Sequence, residues 1–275
     1  MLFQIFVGPC ESSVFVRTSK HLKLIIAAQQ LRTRECSDLD ILLYVSAGQP
    51  VIEATTNVRL GCFQWNYFGL AEQFAAAGLD PWYSEWSNVH DFTASSNSHA
   101  WSYIDSSTKG TDLLPSLEST GSGLDNLPGF VTPLTWGNRP IPIPDPVRFL
   151  VAISPQLHDE IGVELLDSQL ESELSNGQLW LVRSRRVDFS KPPHKEKMNR
   201  IFMGAAKKKY DKFTSHLNQP GGALGFEFIT SQQNLSHVLN KIQQTVDNHK
   251  GYVYVSDVSE SKVPLESFFE NMAVM

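Results

Sequence analysis

Between Arg183 and Phe213 the chain gathers eleven basic residues against three acids, Asp188, Glu196 and Asp211. This local charge of +8 sits in a chain of formal charge −6, so the remaining residues together carry −14. Clustered lysines and arginines suit a polyanion, because each phosphate they neutralise releases a condensed counterion and adds about 0.9 to the salt slope. Arg183, Arg185 and Arg186 fall at the end of an expected strand. Lys207, Lys208 and Lys209 precede Tyr210, which offers a ring for base stacking. The expected nucleic-acid contacts are therefore Arg183, Arg185, Arg186, Lys195, Lys197, Arg200, Lys207, Lys208, Lys209, Tyr210 and Lys212, gripping the phosphate backbone of RNA or DNA without sequence readout. The competing reading is a solvated helix face opposite Met198, Ile201, Phe202 and Ala205.

A second candidate is an anion site. In an open α/β sheet, ligands sit beyond the carboxyl ends of the strands, near helix N-termini. Ser154, Arg183 to Arg186, Thr230, Ser231 and Asp257 are expected to gather on that edge, with Thr230 and Ser231 binding the anion. The plainer role of Thr230 and Ser231 is helix capping. Neither G-x-G-x-x-G nor G-x-x-x-x-G-K-[ST] occurs.

Two stretches resemble enzyme families. Asp40-Ile41-Leu42-Leu43-Tyr44 followed by Val51-Ile52-Glu53-Ala54-Thr55 resembles the strand pair of PD-(D/E)xK nucleases. That resemblance implies a divalent metal held by Asp40 and Glu53, with Thr55 where the family has lysine. Arg183 or Arg186, then Phe228-Ile229-Thr230-Ser231, then Gly251-Tyr252-Val253-Tyr254-Val255 resemble mono-ADP-ribosyltransferases of the cholera-toxin type. This second resemblance implies NAD binding through Arg183 or Arg186 and Ser231, although the downstream Glu-x-Glu is absent.

Other chemistry is not motivated. The eight histidines show no H-x-x-x-H or H-E-x-x-H spacing, and no G-x-S-x-G elbow is present. Cys10, Cys36 and Cys62 are odd in number, far apart and without a C-x-x-C pair, so a reducing compartment is expected and a thiolate metal site is not. No metal is assigned and no cofactor is specified.

The elements that must position these residues fall into three zones. With 41% hydrophobic and 19% charged residues, the 275-residue chain has apolar surface enough for a folded core of one or two domains. No run approaches the roughly eighteen apolar residues that span a bilayer. Residues 1–104 read as a mixed α/β domain: strands at Phe3 to Val7 and Val14 to Val16, a helix from His21 to Leu31, and strands Ile41 to Val45 and Val51 to Ala54 joined as a hairpin through Ser46 to Pro50. A further helix is expected from Phe63 to Ala77, stopped by Gly78. An aromatic-rich segment covers 63–103, and no internal repeat is evident.

Residues 105–147, rich in Pro, Gly and Ser, read as a linker or long loop. Residues 148–275 alternate strands (Arg148 to Ser154, Gln178 to Arg183, Ala223 to Ile229, Tyr252 to Asp257) with helices. The clearest helix carries Leu235, Val238, Leu239, Ile242 and Val246 on one face, with Thr230 and Gln233 at capping-box spacing. The class is α/β or α+β: an α/β layer with some parallel pairing, or a ferredoxin-like sandwich.

The reading that follows is an intracellular, cytoplasmic nucleic-acid-binding protein, more a subunit of an assembly than an enzyme. The alternatives are a metal-dependent or NAD-dependent enzyme on the residues above, and an adaptor with a protein partner on the aromatic segment 63–103.

Overall fold

The computed structural model describes residues 3–94, 100–114, 126–202 and 210–269. Strands and helices are both present, in two compact units, 1–139 and 140–275.

Unit 1 begins with five strands, β1 (Phe3–Arg17), β2 (Lys20–Arg34), β3 (Ser37–Val45), β4 (Val51–Glu53) and β5 (Thr56–Cys62). Helix α1 (Leu70–Ala76), β6 (His90–Asp91), β7 (Trp101–Tyr103) and α2 (Gly110–Leu113) follow. All pairings in this sheet are parallel. The first half of β2 lies between β1 and β3, and its second half between β1 and β4. From there β3 leads to β5 and β7, and β4 to β6. The chain therefore climbs as a parallel β-helix with two sheet faces.

Its corners repeat. Thr18, Glu35 and Ala54 have φ of 50°, 55° and 46°, and His21, Asp38 and Asn57 have φ of 56°, 57° and 53°. Such left-handed conformations are uncommon outside glycine, and Asn, Asp and His tolerate them best. Asn57 Nδ2 donates to Asp38 Oδ1 at 2.6 Å, and His21 Nδ1 lies 3.4 Å from Asp38 Oδ2. The Asn57 hydrogen bond helps hold the Asp38 carboxyl below its usual range.

Inside the coils, Leu22, Leu24 and Ile26 of β2 meet Leu39, Ile41 and Leu43 of β3 and Val58 and Leu60 of β5. The alternate residues Ile25, Ala27, Leu42 and Tyr44 point outward, where Phe63, Trp65, Tyr67, Leu70 and Phe74 cover them. This double burial explains two departures from expectation. The stretch His21 to Leu31 lies within β2, not a helix, because a strand buried on both sides loses the alternation that marks strands. The helix expected over Phe63 to Ala77 shrinks to Leu70–Ala76, because Phe63, Trp65 and Tyr67 serve as a packed layer. Strands β3 and β4 do not form a hairpin; they follow one another along one coil and pair in parallel with successive stretches of β2. The coil repeat also escaped the sequence, since its period varies and only interior positions recur.

Residues 126–139 pack on this unit. Thr135 Oγ1 accepts from Trp86 Nε1 at 2.9 Å, and Arg139 Nη2 donates to the Ile104 carbonyl at 2.9 Å. The Arg139 guanidinium also lies 5.0 Å from the Trp86 ring centroid.

Unit 2 runs β8 (Pro146–Ile153), α3 (His158–Val163), a π-helical turn (Glu164–Gln169), α4 (Glu171–Ser175), β9 (Leu179–Val187), α5 (Pro192–Phe202) and α6 (Asp211–His216). It continues with β10 (Ala223–Ser231), α7 (Gln232–Asn248), β11 (Val253–Val255) and α8 (Lys262–Phe269). The sheet order is β11-β8-β10-β9, with each neighbouring pair antiparallel. Of the two arrangements expected here, the ferredoxin-like one is present and the parallel layer is not: two β-α-β halves interleave. Phe189, Phe202, Phe213 and Phe268 fill one core, and a side chain at Gly225 would run into the Phe268 ring.

Candidate functional site

The interleaved sheet separates the residues expected to form an anion site. Leu224 at the start of β10 is in register with Ile153 and Arg186, whereas Ser231 is in register with Pro146. Ser154 and Arg186 therefore lie at one end of the sheet and Thr230 and Ser231 at the other, about 24 Å away at 3.4 Å per residue. Thr230 is buried and its hydroxyl donates to the Gln178 carbonyl at 2.7 Å. Ser231, not Thr230, caps α7, accepting from the Asn234 N–H at 3.2 Å. The same register puts Arg186 opposite Leu224 and Arg183 opposite Glu227, seven and four positions from Ser231, which separates the residues of the ADP-ribosyltransferase resemblance.

The basic segment is dispersed and largely engaged. Arg183 Nε donates to Glu227 Oε2 at 2.6 Å, Arg148 Nη1 donates to Glu227 Oε1 at 2.8 Å, and Arg183 also sits 4.6 Å over the Phe269 ring. Arg185 is buried and donates to the Phe269 carbonyl, and Arg186 pairs with Asp159. Tyr210 is buried, its hydroxyl donating to the Val255 carbonyl at 2.9 Å, so its ring is not a stacking platform. Lys212 lies over Tyr252 and donates to the Lys250 carbonyl. Lys195, Lys197 and Arg200 fall on α5, with Arg200 exposed. Lys207, Lys208 and Lys209 lie outside the described residues. Arg200 and Tyr210 also line a cleft of about 1030 Å³, with Leu235, Tyr254 and Lys262 among its walls.

The metal reading fails on the same grounds. Asp40 is held by Arg59 at 2.5 and 2.6 Å, whereas Glu53 lies on the other sheet face, 3.7 Å from Arg34. Among the described residues no cluster of His, Cys, Asp and Glu could hold a metal ion. The aromatic segment is mostly core: Phe63, Trp65, Tyr67, Phe74, Trp82 and Trp86 are buried, while Phe68 and Phe92 are exposed.

What the sequence reading missed is the second face of the β-helix. Val14, Val16, Leu31, Thr33 and Ile52 point inward. Their neighbours form two in-register rows, Phe15, Arg32, the buried Val51 and His90, then Arg17, Arg34 and Glu53. Adjacent strands lie about 4.8 Å apart, so the first row spans roughly 14 Å. Phe15, Arg17, Arg32, Arg34, His90 and Phe92 are all exposed. Arg34 has carboxylates beside it, Glu35 at 3.4 Å and Glu53 at 3.7 Å, and Arg17 stacks 5.0 Å from the Phe15 centroid. Arg32 differs: its Nε donates to Gln30 Oε1 at 3.3 Å, and Gln30 Oε1 also accepts from Ser13 Oγ at 3.4 Å. An amide oxygen orients the guanidinium without neutralising it, so the exposed side chain keeps its charge for an anion. No charge run announces this site, because Arg17, Arg32 and Arg34 are brought together by coiling.

No helix among the described residues is long and apolar enough to cross a membrane, and Cys10, Cys36 and Cys62 are free thiols.

Comparison with known proteins falls on unit 1. Residues 3–92, about a third of the chain, match the family model described as tubulin binding cofactor C. The chain is 39% identical over 121 residues to Protein XRP2 of Xenopus laevis, covering 42% of this chain and 34% of that protein. It is 43% identical over 93 residues to Protein XRP2 of Homo sapiens, covering 34% and 26%. It is 32% identical over 88 residues to tubulin-specific chaperone C of Bos taurus, covering 32% and 25%. The chain thus spans about a third or less of the length of these relatives. These similarities overturn the expectation of an RNA- or DNA-binding protein, as does the engagement of Arg183, Arg185 and Arg186 within the fold: the match to the tubulin binding cofactor C family model falls on the β-helix that carries the open arginine face.

Proposed function

We propose that unit 1 docks a GTP-binding protein of the tubulin kind on the open face and presents Arg32 to the phosphates of its nucleotide. The observation that carries this reading is the state of Arg32. Among the arginines of unit 1, Arg59 is bound to Asp40, Arg34 lies beside Glu35 and Glu53, Arg17 stacks on Phe15, and Arg139 is enclosed by aromatic rings. Arg32 is exposed, oriented and charged. A guanidinium supplied from outside to a nucleoside triphosphate stabilises charge on the transferred phosphoryl group, an effect worth about 10³-fold or more in hydrolysis rate. The tubulin binding cofactor C match over residues 3–92 supports the choice of partner, and a reducing cytoplasm suits both that partner and the three free thiols.

The test is GTP hydrolysis by purified αβ-tubulin titrated with the full chain. Stimulation by the wild type, lost about 10³-fold in Arg32→Ala while binding persists, is the expected result. Equal stimulation by wild type and Arg32→Ala, or no binding by the wild type, overturns it.

A further inference from the structure

The outward rows end in an aromatic that the nucleotide-facing role of Arg32 does not require. Phe15 is 52% exposed although it lies within a 15-residue strand, because the interior positions beside it are taken by Val14 and Val16. It is the in-register neighbour of Arg32, and Arg17 lies with its guanidinium carbon 5.0 Å from the Phe15 ring centroid. A cation over the ring at an exposed site gives the paired arrangement of the two side chains a modest preference before contact. Phe and Arg held in this way form a small apolar surface edged by one positive charge. Aromatic and arginine side chains of this kind dominate binding energy when a partner buries them.

Resting on the proposed docking of a GTP-binding partner, we infer that Phe15 and Arg17 are the anchor that selects that partner. The ring enters an apolar pocket bordered by a carboxylate, one strand spacing from where Arg32 meets the nucleotide. Arg34 is a poorer anchor because Glu35 and Glu53 already lie beside it. The pair acts on binding and Arg32 on the rate, so the two should separate in kinetics.

The experiment titrates GTP-loaded αβ-tubulin with the full chain, reading both the half-maximal concentration and the saturating hydrolysis rate. Phe15→Ala should raise the half-maximal concentration about tenfold and keep the saturating rate. Phe15→Trp should restore wild-type affinity, and Arg17→Ala should weaken binding less at high salt than at low salt. Thermal unfolding of each variant checks that the fold is kept. A half-maximal concentration unchanged in Phe15→Ala, with Arg32→Ala still losing the rate, overturns the anchor and leaves the role of Arg32 standing. A loss in Phe15→Ala that Phe15→Trp does not rescue also overturns it. Absence of wild-type binding removes the docking reading and the anchor together.

Discussion

Two groups of arginines can be set side by side. Arg183, Arg185 and Arg186 belong to the most basic stretch of the sequence, yet each is engaged with Glu227, the Phe269 carbonyl or Asp159. Arg17, Arg32 and Arg34 are scattered through an unremarkable stretch, yet they share one exposed face. Counting charge along the chain favours the first group, and accounting for acceptors in space favours the second. A buried carboxylate such as Glu227, 2% exposed at its side chain, needs its cations to offset desolvation. Those cations are therefore committed to the fold.

Reciprocal substitutions break this comparison most sharply. Arg32→Ala should lose about 10³-fold of stimulated GTP hydrolysis and shift the unfolding midpoint by no more than about 0.5 kcal/mol equivalent. Glu227→Ala should do the reverse. Two arginines lose their acceptor, and because both remain partly exposed the cost is about 2–3 kcal/mol, below the full penalty for a broken buried pair. Denaturant unfolding beside the hydrolysis assay tests both; equal stability losses in the two variants would erase the distinction.

A pH measurement sharpens the comparison within unit 2. Glu173 is buried, and its carboxylate accepts from His237 Nε2 and Lys241 Nζ, each at 2.9 Å. Burial opposes ionisation, but these donors from α7 outweigh it and hold the carboxyl below its usual range. A lowered folded pKa gives stability that is present above the unfolded carboxylate value, about 4.3, and is lost as pH falls through the folded value. The stability gap between wild type and Glu173→Gln should therefore be steady at neutral pH and shrink in acid. A gap that widens in acid would contradict the assignment.

The smallest expected effect lies on the open face. Glu53→Gln leaves Glu35 as the remaining carboxylate beside Arg34, should change stability by less than about 0.5 kcal/mol, and should tighten a salt-sensitive partner a few-fold. Titration at two ionic strengths checks it.

Part of this architecture was legible in the chain. The apolar runs at Phe3 to Val7, Val14 to Val16 and Ile41 to Val45 lie in strands, Gly78 follows α1 at φ 64°, and α7 begins within two residues of Thr230 and holds the expected apolar face. Strand partners were not legible. Leu24 to Ala28 is apolar without a period because both of its sides are covered, and a helix and a doubly buried strand then look alike. The candidate site was invisible for a related reason: Phe15, Arg32, Val51 and His90 become neighbours only when successive coils stack in register. Nothing in a linear reading weights residue 15 against residue 90.

The recurring corners set where this sequence can change length. Thr18, Glu35 and Ala54 return the chain to the same left-handed turn after 17 and then 19 residues, and the difference is absorbed in the stretch between β3 and β4. Insertions at 46–50 can thus be tolerated while Arg32 keeps its neighbours, whereas one residue added between Leu31 and Glu35 would turn the outward row inward. Over evolutionary time the loop is free to drift, and the arginine row is locked to the pitch of the coil.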